Sequence, residues 1–235
     1  MKKDFLKGML HGVPIALGYL SVSFGFGIMA VKAGIPIFDA VLISLTNLTS
    51  AGQAAAVGII ASGGGIIEMI LTQLTINIRY SLMSLSLSQK LHERFTLPKK
   101  LLASYGITDE IFAVAVSRPG KLTPAYMYGL IIVPTIGWTL GTFLGAFAGE
   151  LMPAFIADAM GILLYGMFIA IIIPPARKEK KVLFVLGIAA ALACVFRYLL
   201  PFITGGFAIM ISAILAAAIG ALLFPIEERE DVQCP

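Results

Sequence analysis

Three stretches of this chain, residues 40–67, 122–149 and 198–226, each run for 28 or 29 residues without Asp, Glu, Lys or Arg. A helix needs ~20 predominantly apolar residues to cross the hydrocarbon core of a bilayer. Residues 8–31 and 159–176 are also free of charge. Residues 69–89 and 182–200 hold one charge each, Arg79 and Arg197. These seven stretches are the candidate transmembrane helices. Only 13% of residues are charged and 59% are apolar, with a mean hydropathy of +0.95. That leaves too little polar material to cover a soluble core. The sequence therefore predicts an all-α, polytopic membrane helix bundle, a single domain over residues 1–235 with the lipid bilayer as its solvent.

The net charge is +4, from 17 Lys and Arg against 13 Asp and Glu. Most of the positive charge falls in loops between apolar runs, where it sets topology and does not make a nucleic-acid footprint. Residues 90–100 and 177–181 are the strongest basic loops. Residues 101–117 are apolar at both ends but carry Asp109 and Glu110 in the middle. If that segment spans, the two basic loops fall on opposite sides. The positive-inside bias favours a re-entrant or interfacial segment. Strict alternation of the other spans then leaves Lys2, Lys3 and Lys7 on the wrong side, unless one further segment is broken. The side of the amino terminus stays open.

Three short matches recur at offsets of 118 to 120 residues: Val13-Pro14 with Val133-Pro134, Gly18-Tyr19 with Gly137-Trp138, and Arg79-Tyr80 with Arg197-Tyr198. They suggest a 3+3 repeat of residues 8–89 and 122–226, joined by a linker at 90–121 and followed by an acidic tail at 227–235. An odd number of spans per repeat makes the halves inverted, an arrangement common in secondary transporters. A pore built on the same repeat is the alternative.

Three constellations carry chemistry. The first is the run from Ser44 to Gln53, where Thr46, Asn47, Thr49, Ser50 and Gln53 are polar inside a charge-free span. Irregular backbone at membrane depth survives only where it is buried in protein or lines a cavity. A helix broken here would present amide N–H groups and a positive dipole end to a ligand. The competing reading is hydrogen bonding to neighbouring helices. The second is Asn77-Ile-Arg79-Tyr80. An intramembrane Arg faces the bundle interior and finds a partner. Arg79 suits a substrate carboxylate through its bidentate fork, or a structural pair with Asp109, Glu110 or Glu68. The third is Thr108-Asp109-Glu110, which reads either as a helix cap with acids in the first turn or as a proton-coupling carboxylate. Asn47, Thr49, Ser50, Gln53, Asn77 and Arg79 are thus the candidate substrate-binding residues, and Asp109 and Glu110 the candidate proton carriers.

The remaining features read as structural. Gly137, Gly141, Gly145 and Gly149 line one helix face and allow close packing, within the chain or against a partner. Trp138, Tyr126 and Tyr128 read as interfacial anchors. Cys194 and Cys234 have no spacing that suits a disulfide framework or a zinc site. His11 and His92 are far apart, so no metal or cofactor is expected. No nucleophile lies near a His, and no HExxH, Walker or GxGxxG motif is present. The sequence does not read as an enzyme.

An ordered set of pieces resembles the AzlC-type branched-chain amino acid permease family. They are Gly12-Val-Pro-Ile-Ala-Leu-Gly-Tyr19, Phe24-Gly25 to Gly27, Ala51-Gly52-Gln53, Asn77-Ile-Arg79-Tyr80, Thr108-Asp109-Glu110 and Trp138-Thr-Leu-Gly-Thr-Phe-Leu-Gly145. The resemblance runs from about residue 7 to 175. It departs at Tyr80, where the family often has His, and around Thr49 to Ala54. It implies export of branched-chain or other neutral amino acids across a bacterial cytoplasmic membrane; coupling to the proton-motive force is the expectation that rests on Asp109 and Glu110. It also implies a small AzlD-type membrane subunit as partner. A small-solute channel and a non-transporting scaffold subunit are the rival expectations.

Overall fold

The computed structural model describes residues 2–151 and 176–224, together with 153, 155, 166, 169 and 172–174. The candidate span at 159–176 and the acidic tail at 227–235 lie almost wholly outside the described residues. The chain divides into two compact units, Met1–Phe168 and Ile169–Pro235. Among the described residues the regular structure is helical apart from one isolated bridge between Leu91 and Leu122.

The first unit is built on two long helices, α1 (Lys2–Lys32) and α7 (Pro124–Leu151). Both are long and apolar enough to cross a membrane. They pack side by side in parallel, with glycines of one helix set against the backbone of the other step by step. A Cβ on Gly8 or Gly129 would meet the partner's backbone, and Gly12 lies against Pro134. Further along, Gly137 lies on Ala16, Gly141 on Leu20, Gly145 on Phe24 and Gly149 on Ile28. Backbones that approach this closely gain dispersion contacts along the whole seam. The glycine face of α7 is therefore used inside the chain.

Between these two helices the chain makes α2 (Ile37–Thr46), α3 (Ser50–Ala61), α4 (Ile66–Ser88), α5 (Leu97–Ser104) and α6 (Asp109–Ser117). The single span expected at 40–67 is thus two helices of 10 and 12 residues, about 15 and 18 Å long at 1.5 Å per residue. They form a hairpin. Ala40, in the first turn of α2, packs with Phe26, Ala30 and Ile35 near the carboxyl-terminal end of α1. Leu48, just past α2, packs deeper, on Tyr19 and Trp138. Val57 of α3 is back among Phe26, Ala30 and Ala40. The chain enters, turns at Asn47–Thr49 and returns.

α4 then runs the length of the bundle. Its 23 residues span about 35 Å, and Leu87 near its end packs with Phe95 and Leu122 at the foot of α7. From there α5 and α6 make a second hairpin. The Lys99 carbonyl accepts from Tyr128 Oη at 3.2 Å, Gly106 lies against Ile131, and Thr108 reaches Tyr19 at 2.6 Å. α6 leads back, with Val116 accepting from Lys90 Nζ and Arg118 pairing with Asp4 at 3.3 Å. α5 and α6, of 8 and 9 residues, thus turn the chain back on itself over 97–117.

The two hairpins enter from opposite ends, and each follows a long helix. The inverted relation visible in the described residues is therefore between α1–α3 and α4–α6. The 118–120 offset pairs α1 with α7, which run parallel, whereas an inverted repeat would set them antiparallel. The second unit contains α8 (Lys180–Leu199) and α9 (Gly205–Leu223), both long and apolar enough to cross a membrane. They pack antiparallel, with Phe184 edge-on to Phe224 and Gly220 against Val185.

Candidate functional site

The turns of both hairpins lie at half-depth beside Tyr19, and local sequence explains each. Asn47 ends α2 in an extended conformation (φ −146°, ψ 114°), and Thr49 caps α3, its hydroxyl accepting from Gly52 N at 3.3 Å. Thr108 caps α6 in the same way, accepting from Ile111 N at 3.4 Å. Threonine satisfies an amide that the first helical turn would otherwise orphan. Asn and Thr also compete with the ladder through their side chains, which explains the helix break at this point.

The predicted binding residues separate into two groups. Thr49 and Asn77 belong together. Thr49 Oγ1 donates to Asn77 Oδ1 at 2.7 Å, Asn77 Nδ2 to Gln73 Oε1 at 3.1 Å, and Gln73 Nε2 to the Gly52 carbonyl at 2.8 Å. Arg79, two residues further along α4 and half-exposed, pairs with Asp109 Oδ2 at 3.0 Å and lies over the Tyr80 ring. This resolves which of three acids it meets. Ser50 is half-buried at the first turn of α3, and Asn47 is exposed at the tip.

Gln53 behaves differently. It is 1% exposed, and both its amide oxygen and its amide nitrogen are engaged. It accepts from Trp138 Nε1 at 2.9 Å and donates to Ser44 Oγ at 3.0 Å, and Ser44 lies 2.7 Å from Thr142 Oγ1. These bonds tie the first hairpin to α7. Gln53 offers no open group to a ligand here.

Tyr19, Trp138 and Tyr126 correct the sequence reading. Trp138 is 3% exposed and Tyr126 is fully buried. Neither is an interfacial anchor. Tyr126 holds His11 Nδ1 at 2.8 Å, and Arg118 stacks 3.8 Å above its ring. Tyr19 was missed as a site residue. Its hydroxyl lies 2.6 Å from both Thr108 Oγ1 and Glu110 Oε2. A phenol has one proton, so against an ionised Glu110 it donates to the carboxylate and accepts from Thr108. Tyr19 also packs edge-on to Trp138. The sequence signs at this position were the recurrence of Gly18-Tyr19 as Gly137-Trp138 and the place of Tyr19 in the Gly12–Tyr19 piece of the family resemblance.

Around Tyr19, then, stand an apolar wall of Leu48 and Trp138, the Asn77 amide of α4 with the Thr49 hydroxyl that caps α3, an Arg–Asp pair, and an exposed carboxylate. Among the described residues no group of three or more His, Cys, Asp or Glu is placed to hold a metal. Long apolar helices with interrupted helices between them define a class, the polytopic helical membrane proteins.

The chain belongs to the AzlC family: the sequence model described as AzlC protein matches residues 14–152, which take in every candidate site residue. Proteins of this family are membrane proteins associated with branched-chain amino acid transport. The inner membrane protein YgaZ of Escherichia coli (strain K12) is 26% identical over 205 residues, 84% of this chain and 83% of its own length. An uncharacterized membrane protein of Archaeoglobus fulgidus is 28% identical over 191 residues, 80% of this chain and 84% of its own. No solved structure matches the chain.

Proposed function

We propose that this protein is a secondary transporter that exports branched-chain or other neutral amino acids across the bacterial cytoplasmic membrane. In this reading it is coupled to the proton-motive force and works with a small AzlD-type subunit. The observation that carries the proposal is the meeting of two interrupted hairpins at half-depth beside Tyr19. A zwitterion needs a partner for each charge and an apolar pocket for its side chain. Arg79 and the Asn77–Thr49 pair suit the carboxylate, Asp109 and Glu110 suit the ammonium group, and Leu48, Tyr19 and Trp138 suit a branched side chain. Glu110, exposed and held by Tyr19, is the acid best placed to exchange a proton with water.

Orientation follows from charge. Lys2, Lys3, Lys7, Lys90, Arg94, Lys99, Arg118 and Lys121 all lie at the amino-terminal end of α1, whereas Lys32 lies at the other. The positive-inside bias places the first end in the cytoplasm.

The test is efflux of preloaded, labelled leucine, isoleucine and valine from cells expressing the chain, with and without an AzlD-type subunit. Saturable efflux above an empty-vector control is expected. Arg79→Ala should abolish it with the protein still in the membrane, and Glu110→Gln should flatten its pH dependence. Efflux through Arg79→Ala at the wild-type rate would remove Arg79 from the site. Non-saturable flux would favour a pore.

A further inference from the structure

A second feature lies below this site, at the basic end. A cleft of about 560 Å³ opens between α1 and α6. Lys7 and His11 line it from α1; Ala113, Val114 and Ser117 line it from α6, with Arg118 just beyond. We propose that this cleft is the vestibule by which the amino acid enters from the cytoplasm, and that Lys7, His11 and Arg118 at its mouth receive the substrate's carboxylate. The proposal rests on the transport reading above and adds a route and a second binding position to it.

Helix periodicity connects the cleft to the site. Glu110 lies three, four and seven residues before Ala113, Val114 and Ser117, so all four share one face of α6. That face ends on the Glu110 carboxylate and the Tyr19 hydroxyl that closes over it. On α1, Gly18 lies seven residues beyond His11, two turns up the same face. A Cβ on Gly18 would meet nothing within 4 Å, so there is open space beside α1 at that level too.

The mouth is short of negative charge. Asp4 is the carboxylate that pairs with Arg118, and it takes only Nη2. Arg118 Nη1 is buried and has no hydrogen-bond partner. A buried donor left unsatisfied is costly, most of all on a charged group. His11 spends one ring nitrogen on Tyr126. A carboxylate placed here accepts from Arg118 and is attracted by Lys7, leaving the ammonium group and side chain directed along the apolar face of α6.

The test separates binding from transport. In a parent carrying Cys194→Ser and Cys234→Ser, single cysteines are placed at Val114 and Ser117 in the cleft and at Lys121 outside it. Inside-out vesicles are labelled with a membrane-impermeant maleimide. Isoleucine should slow labelling at Val114→Cys and Ser117→Cys and leave Lys121→Cys unchanged. A branched carboxylic acid without the ammonium group should protect, and the matching amine should not. Protection by the amine alone, or by neither isoleucine nor the acid, overturns the proposal. Gly18→Trp should fill the route and reduce export to the control level at normal membrane abundance; wild-type export from that variant also overturns it. His11→Gln keeps a hydrogen bond to Tyr126 and should raise KM about tenfold with kcat unchanged, the pattern of lost ground-state binding. Protected cysteines in a chain that does not export would count against the transport reading alone, and export with unprotected cysteines against the vestibule alone.

Discussion

At the residue scale, one amide does more than its neighbours to hold the first hairpin. Gln53 joins Trp138 to Ser44, and through it to Thr142, all of them buried. Replacing Gln53 with Leu strands the Trp138 indole N–H and leaves Ser44 without its donor. Each buried polar group without a partner costs ~1–3 kcal/mol. Gln53→Leu should therefore lower the Tm in detergent by several degrees, and an unchanged Tm would mean that the network adds no net stability. The sequence marked Gln53 as polar and intramembrane, but it could not separate a ligand-facing amide from a stapling one. Its partner Trp138 lies 85 residues away, and no local pattern specifies that pairing.

At the scale of elements, the α1–α7 seam dictates which glycines are replaceable. A Cβ at Gly145 would collide with the Phe24 carbonyl, which is backbone and moves only if α1 moves. At Gly149 the first atom met is a side-chain methyl, Val31 Cγ2 at 2.9 Å, and the nearest backbone, Ile28 Cα, is 3.3 Å away, so a shift of a few tenths of an ångström makes room. Gly145→Ala should cost ~1–3 kcal/mol, the usual penalty for overpacking, and reduce the yield of folded protein. Gly149→Ala should stay within about 1 kcal/mol of the parent. Thermal unfolding of the two variants in the same detergent checks the ranking, and the reverse order would mean that the seam is not packed this way. The four-residue glycine spacing on α7 was legible in sequence. The matching surface on α1 is less regular, with Ala16, Leu20 and Phe24 as the opposing residues, and only packing identifies it.

At the scale of the whole molecule, topology is the property most open to direct test. Because α2 and α3 form a hairpin, Lys32 and Ser62 flank it at one end of the bundle. Lys90 and Lys121 lie at the other end, beside the paired Leu91 and Leu122. Single cysteines at Lys32 and Ser62 should be labelled from the same side of the membrane, and those at Lys90 and Lys121 from the opposite side. Labelling of Lys32→Cys and Ser62→Cys from different sides would mean that 37–61 crosses as one interrupted span. The hairpin also resolves the charge conflict in the sequence, where strict alternation left Lys2, Lys3 and Lys7 apart from the 90–100 loop. A segment that enters and returns removes one crossing, and Lys2, Lys3 and Lys7 then gather with the 90–100 loop at one end.

Residue chemistry alone pointed to a membrane chain, to roughly where its first and seventh helices run, to the run from Ser44 to Gln53 as a place for a helix to break, and to Thr108 as a cap for a helix led by two acids. These follow from hydropathy, charge-free length and capping propensity, all properties of neighbouring residues. Tertiary structure alone decided whether the break at Asn47–Thr49 interrupts a crossing or turns the chain back. A break has the same local sequence in both cases, and its direction is set by Ala40 and Val57 packing on the same part of α1. The same holds for Arg79, whose charge required a partner without specifying one. Proximity across the bundle selected Asp109.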